Sequence, residues 1–178
     1  VRSWHFCVWS QPDTPQSMFG FCSNEAFYDF YRQTWLAVKS CDRHLSFGTP
    51  PTFYIAENDY ENWYIPFLRW CRSNGCMPDF LNFHYYDTAL AQNAADSQDL
   101  FGFVSSMTLR SVPDGFRTFV NQVRSEREKL GMRSSPIFLT EWNNTPSQQD
   151  LLNDTCFKSC YIVKNILENY DKLDGFGY

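Results

Sequence analysis

The chain has 178 residues, 15 basic and 20 acidic, for a net charge of −5. With no basic run, this segment offers no electrostatic footprint for nucleic acid. No stretch approaches the roughly 18 consecutive apolar residues of a membrane span, so no membrane contact is expected. Aromatic residues make up 19%; their faces fill cores and also stack on sugar rings, which fits a carbohydrate site without requiring one.

In chain order, strand-like and helix-like patterns alternate. Trp4-His5-Phe6-Cys7-Val8-Trp9 reads as a first strand, closed by the Gln11-Pro12-Asp13 turn. A loop over 14–23 follows, with Met18, Phe19 and Phe21 placed to line a cleft or pack beneath it. Asn24 caps a helix over 24–40, whose Ala26, Phe27, Phe30, Tyr31, Trp35 and Val38 approximate one stripe. Residues 45–53 make a weak second strand, interrupted by Pro50-Pro51.

The second helix spans 62–71 and stops at Ser73-Asn74-Gly75. Residues 80–86 form the third strand, ending in His84-Tyr85-Tyr86. The segment 87–112 is poorly periodic; a loop of that length is usually functional or mobile, and in a barrel it would overhang the mouth. A third helix runs from Asp114 to Gly131, with Phe116, Phe119, Val120 and Val123 inward and Arg124, Glu126, Arg127 and Glu128 toward water. The apolar run 136–139 is a strand buried on both faces. A last helix over 154–170 carries Cys156, Cys160, Tyr161, Val163, Ile166 and Leu167 on or near its expected buried stripe, and 175–178 begins another strand.

Seven cysteines, at 7, 22, 41, 71, 76, 156 and 160, are odd in number and contain no C-x-x-C. Neither a zinc site nor a disulfide framework is suggested. Buried free thiols in a reducing, cytoplasmic setting are the expectation.

Strand–helix alternation implies a parallel sheet with right-handed crossovers. A doubly wound sheet and part of a barrel fit that pattern equally. No G-x-G-x-x-G follows any strand, which weakens the nucleotide-binding versions. In parallel α/β folds the chemistry sits where strands end. Glu141, between Thr140 and Trp142 at such an exit, is therefore a candidate nucleophile or base; the plainer reading is a solvated loop acid.

Set beside Trp9-Ser10-Gln11-Pro12-Asp13, the stretch Phe138-Leu139-Thr140-Glu141-Trp142-Asn143 resembles glycoside hydrolase family 39. That is the β-xylosidase and α-iduronidase group of the retaining (β/α)8-barrel glycosidases. In the family, the fourth barrel strand ends in W-N-E-P-D/N, whose Glu is the general acid/base. The seventh ends in T-E-W/Y/F-N, whose Glu is the nucleophile. The second pattern is intact around Glu141. In the first, Ser10 stands where the family has Asn, and Gln11 where it has the proton-transferring Glu. The resemblance also takes in 79–86, like the family's D-F-x-S-x-H-x-Y with Asn82 for Ser, and Asn153-Asp154-Thr155 at a helix start.

The resemblance implies an α/β fold of parallel (β/α) units forming roughly half of a TIM barrel, strands four to eight. Residues 1–178 would be a single segment, incomplete at both ends, because a whole barrel usually needs about 250 residues. It further implies Glu141 as nucleophile, Gln11 at the acid/base position, and Ser10, His84, Tyr86, Trp142 and Asn143 as substrate-binding residues. No metal or other cofactor is implied, and the partner would be a xyloside-like sugar. Trp9 is expected inside the barrel and His5 in the core. Two adjacent losses, at Ser10 and Gln11, read as decay of catalysis, leaving a carbohydrate-binding module. Modules of this kind also occur on AraC-type regulators, where they could sense sugar. The alternative is a working retaining β-xylosidase. The open sheet edges of half a barrel invite self-association.

Overall fold

The computed structural model describes residues 1–14, 20–54, 60–90, 107–109, 114–147 and 150–178. In chain order these form β1 (His5–Phe6), α1 (Asn24–Cys41), β2 (Ser46–Phe47), β3 (Thr52–Tyr54) and a π-helical turn (Tyr60–Tyr64) that runs into α2 (Ile65–Ser73). Next come β4 (Leu81–Tyr86), β5 (Thr88–Leu90), β6 (Met107–Leu109), α3 (Gly115–Lys129), β7 (Ile137–Asn143), α4 (Cys156–Asn169) and β8 (Gly175–Phe176).

β3, β4, β7 and β8 form a parallel sheet in that order, and β1 pairs in parallel with β2. Backbone bonds join the two sheets. Thr49 N–H reaches Phe80 O at 3.2 Å, and Gln11 N–H reaches Pro51 O at 2.8 Å. β2 and β3 are thus two halves of one interrupted strand. Pro50 and Pro51 cannot donate to a ladder, and the pairing breaks there. The fold is α/β with parallel strands following one another in chain order, as the strand–helix cadence implies.

Several boundaries differ from expectation. The first strand is two residues long, not the six of 4–9, because Trp9 and Gln11 adopt left-handed backbone, φ 67° and 52°. Ser23, not Asn24, caps α1, its hydroxyl accepting from Ala26 N–H at 3.1 Å. Within 87–112, β5 and β6 pair antiparallel; 91–106 and 110–113 lie outside the described residues, as do Met18 and Phe19.

The core lies between the sheet and α1 to α3. All six β4 positions are buried. Leu81, Phe83 and Tyr85 alternate toward the helices, as Leu139 of β7 does. Tyr85 stacks on Phe119 at 4.7 Å, and Tyr31 meets Phe67 edge-on at 4.9 Å.

Helix α4 reverses the expected stripe. Its buried residues are Lys158, Asn165 and Asn169, whereas Cys156 and Cys160 are exposed, Val163 is 55% exposed and Leu167 66%. Polar anchors set its rotation. Lys158 Nζ donates to the side-chain oxygens of Asn143 and Asn144, Tyr161 OH donates to Asn143 O at 3.2 Å, and Lys164 lies 3.6 Å from Asp114 at the start of α3. The cysteines also depart from expectation: all seven are free, but only Cys71 and Cys76 are buried. His5 is exposed instead of core-packed; it bonds Ser46 Oγ at 2.9 Å, its ring 4.8 Å from that of Phe138.

Candidate active site

Alternation along β4 points Asn82, His84 and Tyr86 to the face opposite α3. β7 reaches that face through a change of register. Phe83 pairs with Leu139, but His84 pairs with Glu141, so Thr140 is one residue in excess. Such a bulge re-aims the side chains beside it. Thr140 Oγ1 donates to Asn82 Oδ1 at 2.6 Å, and the next residue, Glu141, joins His84 and Tyr86.

Tyr86 OH donates to Glu141 Oε1, and Glu141 Oε2 lies 3.4 Å from His84 Nδ1. Gln11 Nε2 sits 2.9 Å from the same nitrogen. The left-handed backbone at Trp9 and Gln11 turns the Gln11 side chain inward, where the residue is 7% exposed. Gln11 O accepts from Thr14 Oγ1 at 2.8 Å, which holds the turn.

Burial depresses the His84 pKa to about 4, so the ring is neutral near pH 7. Its approach to Glu141 is therefore not an ion pair at that pH. Burial also raises the Glu141 carboxyl above its usual range. The Tyr86 hydroxyl opposes this, because a donated hydrogen bond favours the carboxylate.

Beside Glu141 opens a cleft of about 340 Å³, lined by Tyr86, Trp142, Asn143, Pro146, Lys158 and Tyr178 among others. Of the sequence-derived candidates, Tyr86, Glu141, Trp142 and Asn143 line it. Gln11, His84, Tyr86 and Glu141 converge. Trp142 reaches the cleft but is 2% exposed, its ring packed 5.1 Å from Phe116 and 6.1 Å from Tyr161. Asn143 lines the cleft with its side-chain oxygen already accepting from Lys158 and from Asn144 N–H. Ser10 is exposed beside Gln11. Trp9 does not fill the interior; it is 47% exposed and meets Phe21 and Phe30 on the α1 side.

Two residues were not singled out from sequence in the places they hold. Lys158 is buried in the cleft wall, its ammonium made easier to deprotonate by desolvation, with Asp150 opposing that shift. No sequence signal separates it from Lys164 on the same helix. Asp13 turns its carboxylate to β3, where both oxygens lie 3.0 Å from Phe53 N–H. Among the described residues no three His, Cys, Asp or Glu side chains cluster as a metal site would require.

The model of glycosyl hydrolases family 39 matches residues 1–178, the whole chain. The chain belongs to glycoside hydrolase family 39. A β-xylosidase of Caldicellulosiruptor saccharolyticus is 28% identical over 175 residues, 96% of this chain and 31% of that protein. A β-xylosidase of Geobacillus stearothermophilus is 26% identical over 178 residues, covering all of this chain and 33% of that one. Among solved structures, the family 39 enzyme of Xanthomonas axonopodis pv. citri superposes with a TM-score of 0.80 at 25% identity, over 100% of this chain and 33% of that one. A monomeric β-xylosidase from Caulobacter crescentus CB15 also gives 0.80, at 24% identity over 100% and 34% of the chains, which supports the fold. The chain thus spans about a third of the length of the curated relatives it matches.

Proposed function

We propose that this chain supplies strands four to eight of a family 39 barrel that binds a xyloside-like sugar, with Glu141 poised as nucleophile and turnover impaired at position 11. The observation that carries the reading is Gln11: a buried amide 2.9 Å from His84 Nδ1, with Glu141 on the same nitrogen at 3.4 Å. The family match, the relatives named as β-xylosidases and the one-third coverage support it.

A retaining glycosidase works with two carboxyl groups about 5–5.5 Å apart across the glycosidic bond. One attacks the anomeric carbon; the other protonates the departing oxygen and then deprotonates water. Glu141 can attack once ionised, and the Tyr86 hydroxyl favours that form. Gln11 can donate a hydrogen bond to the glycosidic oxygen but has no proton to release. Losing acid–base assistance costs on the order of 10²–10⁴ in rate. Asp13 is an unsuitable substitute, because its carboxylate is engaged by Phe53 N–H. The sites of Ser10, Trp142 and Asn143 would complete the sugar-contacting surface.

In this reading the parent protein is a sugar binder, and a sugar-sensing part of a cytoplasmic transcriptional regulator is the setting that would use binding without turnover. The alternative is an active retaining β-xylosidase whose acid comes from outside this segment. Incubating the parent protein with dinitrophenyl β-xyloside, whose leaving group needs no acid, separates them. A stable xylosyl adduct on Glu141, with turnover appearing in Gln11→Glu, is the expected result. Rapid turnover of an ordinary xyloside by the unchanged protein would favour the alternative. Absence of both adduct and sugar binding would remove the xyloside reading. The 178-residue chain itself should self-associate through its sheet edges, and a monodisperse monomer by light scattering would refute that.

A further inference from the structure

Helix α2 ends far from this chemistry, in a turn with its own. Gly75 has φ 65°, its N–H meets Arg72 O at 3.4 Å, and Cys76 N–H meets Cys71 O at 3.0 Å. These are the paired backbone bonds of a Schellman cap, which bring together the residue five back and the one just past the glycine. Both of those residues are cysteines. A closure of this kind holds two Cα atoms about 5–6 Å apart, the separation at which disulfides form. Cys76 Sγ donates to Cys71 O at 3.8 Å. They are 0% and 1% exposed, while residues 72–75 of the connecting turn are exposed.

The surroundings favour reaction at one of the two sulfurs. The Cys71 thiol eases deprotonation of Cys76, burial partly opposes it and the Arg32 guanidinium adds to the easing, whereas burial raises Cys71. Arg32 Nε is itself buried without a hydrogen-bond partner, as is Tyr31 OH on the same helix. A thiolate beside a cation is the reactive form of cysteine.

We propose that Cys71 and Cys76 are a redox-active dithiol that closes to a disulfide across the cap of α2 when exposed to a disulfide oxidant. The Cys76 thiolate attacks one sulfur of a small-molecule disulfide such as glutathione disulfide and releases one glutathione thiolate. Cys71 loses its proton to solvent, attacks the Cys76 sulfur of the mixed disulfide and releases the second glutathione thiolate. Two protein thiols are oxidised, and one disulfide is reduced to two thiols. Opening of the exposed turn admits the oxidant. This holds whether or not the chain binds sugar.

The pairing is testable by peptide mapping of the 178-residue chain, equilibrated in a series of glutathione redox buffers, alkylated and digested with trypsin. Cleavage after Arg72 separates the cysteines, so a bridge appears as peptide 70–72 joined to 73–110, two hydrogens lighter than their sum. The folded cap should favour closure over the unstructured loop by about tenfold or more. The bridge is therefore expected at a correspondingly more reducing glutathione ratio in native buffer than in denaturant. Equal midpoints in the two conditions, partners other than each other, or full alkylation of both in glutathione disulfide alone would each overturn the proposal.

Discussion

Replacing Gln11 by Glu should move the titration of His84 by units, not tenths. In the present chain burial holds the His84 pKa at about 4. Gln11 Nε2 lies 2.9 Å from Nδ1, so a carboxylate in the same rotamer places a full negative charge there. At about 3 Å and an effective dielectric near 20, the attraction to an imidazolium is roughly 5 kcal/mol, an upper limit of about 4 pK units. Part of that is offset by the cost of burying the new charge and by its repulsion from Glu141, whose Oε2 already lies 3.4 Å from the same nitrogen, and an increase of about 2–3 units is expected. Ring-proton NMR across pH 3–9 measures it, with three histidines to resolve and His84→Gln to assign the signal. The histidine and the new carboxyl will titrate as a coupled pair, so the quantities compared are macroscopic values. An imidazole still titrating near 4 in Gln11→Glu would refute the geometry, because the carboxyl could not then lie against Nδ1.

Four further outcomes follow from the same structure. His84 has a folded-state pKa depressed from 6.5 to about 4; its contribution to stability is complete above pH 6.5 and is lost as pH falls toward 4, by about 3 kcal/mol. Urea midpoints at pH 7 and 4.5 should therefore differ less in His84→Gln than in the unchanged chain. Glu141 acts with the opposite sign, because its raised pKa favours the folded state below the usual carboxylate range and loses that advantage as pH rises. At Gly177 an added Cβ would lie 2.8 Å from Thr140 O, backbone of the bulge. Gly177→Ala should destabilise by about 1–3 kcal/mol in thermal unfolding and alter the Glu141 environment. Lys158→Met removes the shared donor of the Asn143 and Asn144 side-chain oxygens; a loss of about 1–3 kcal/mol is expected, read by denaturant unfolding.

The parallel α/β order was legible because strand and helix periods differ and each buried strand carried a short apolar run. Glu141 could be singled out for the same reason, since it follows such a run, whereas His84 and Tyr86 were named through their resemblance to the family's H-x-Y. Gln11 was visible only through its resemblance to a family motif. The bulge at Thr140 was invisible: Ile137 to Asn143 contains no glycine or proline to mark an extra residue, and the shift arises from pairing with β4. The rotation of α4 was misread for a related reason. Its apolar residues make a credible stripe, but Lys158 and Tyr161 are held by Asn143 and Asn144 at the end of β7. Tertiary hydrogen bonds decided which face turned inward.

Two unrelated local devices aim at one imidazole. A left-handed backbone at Gln11 delivers an amide from one strand end, and a bulge at Thr140 delivers a carboxylate from another. Non-glycine residues in left-handed conformations cost about 1–3 kcal/mol each, and they persist where surrounding structure over-determines them. Here that structure is the Gln11–Pro51 backbone bond, the Thr14 hydroxyl and the contact with His84. None of these interactions needs a proton to be transferred. The frame that would orient a general acid thus stands with a side chain that can only donate or accept hydrogen bonds. In the function proposed above, that combination serves hydrogen bonding to a glycosidic oxygen without its protonation. It also makes Gln11→Glu a substitution the backbone should tolerate, so any gain in turnover would belong to the carboxyl group and not to a rebuilt site.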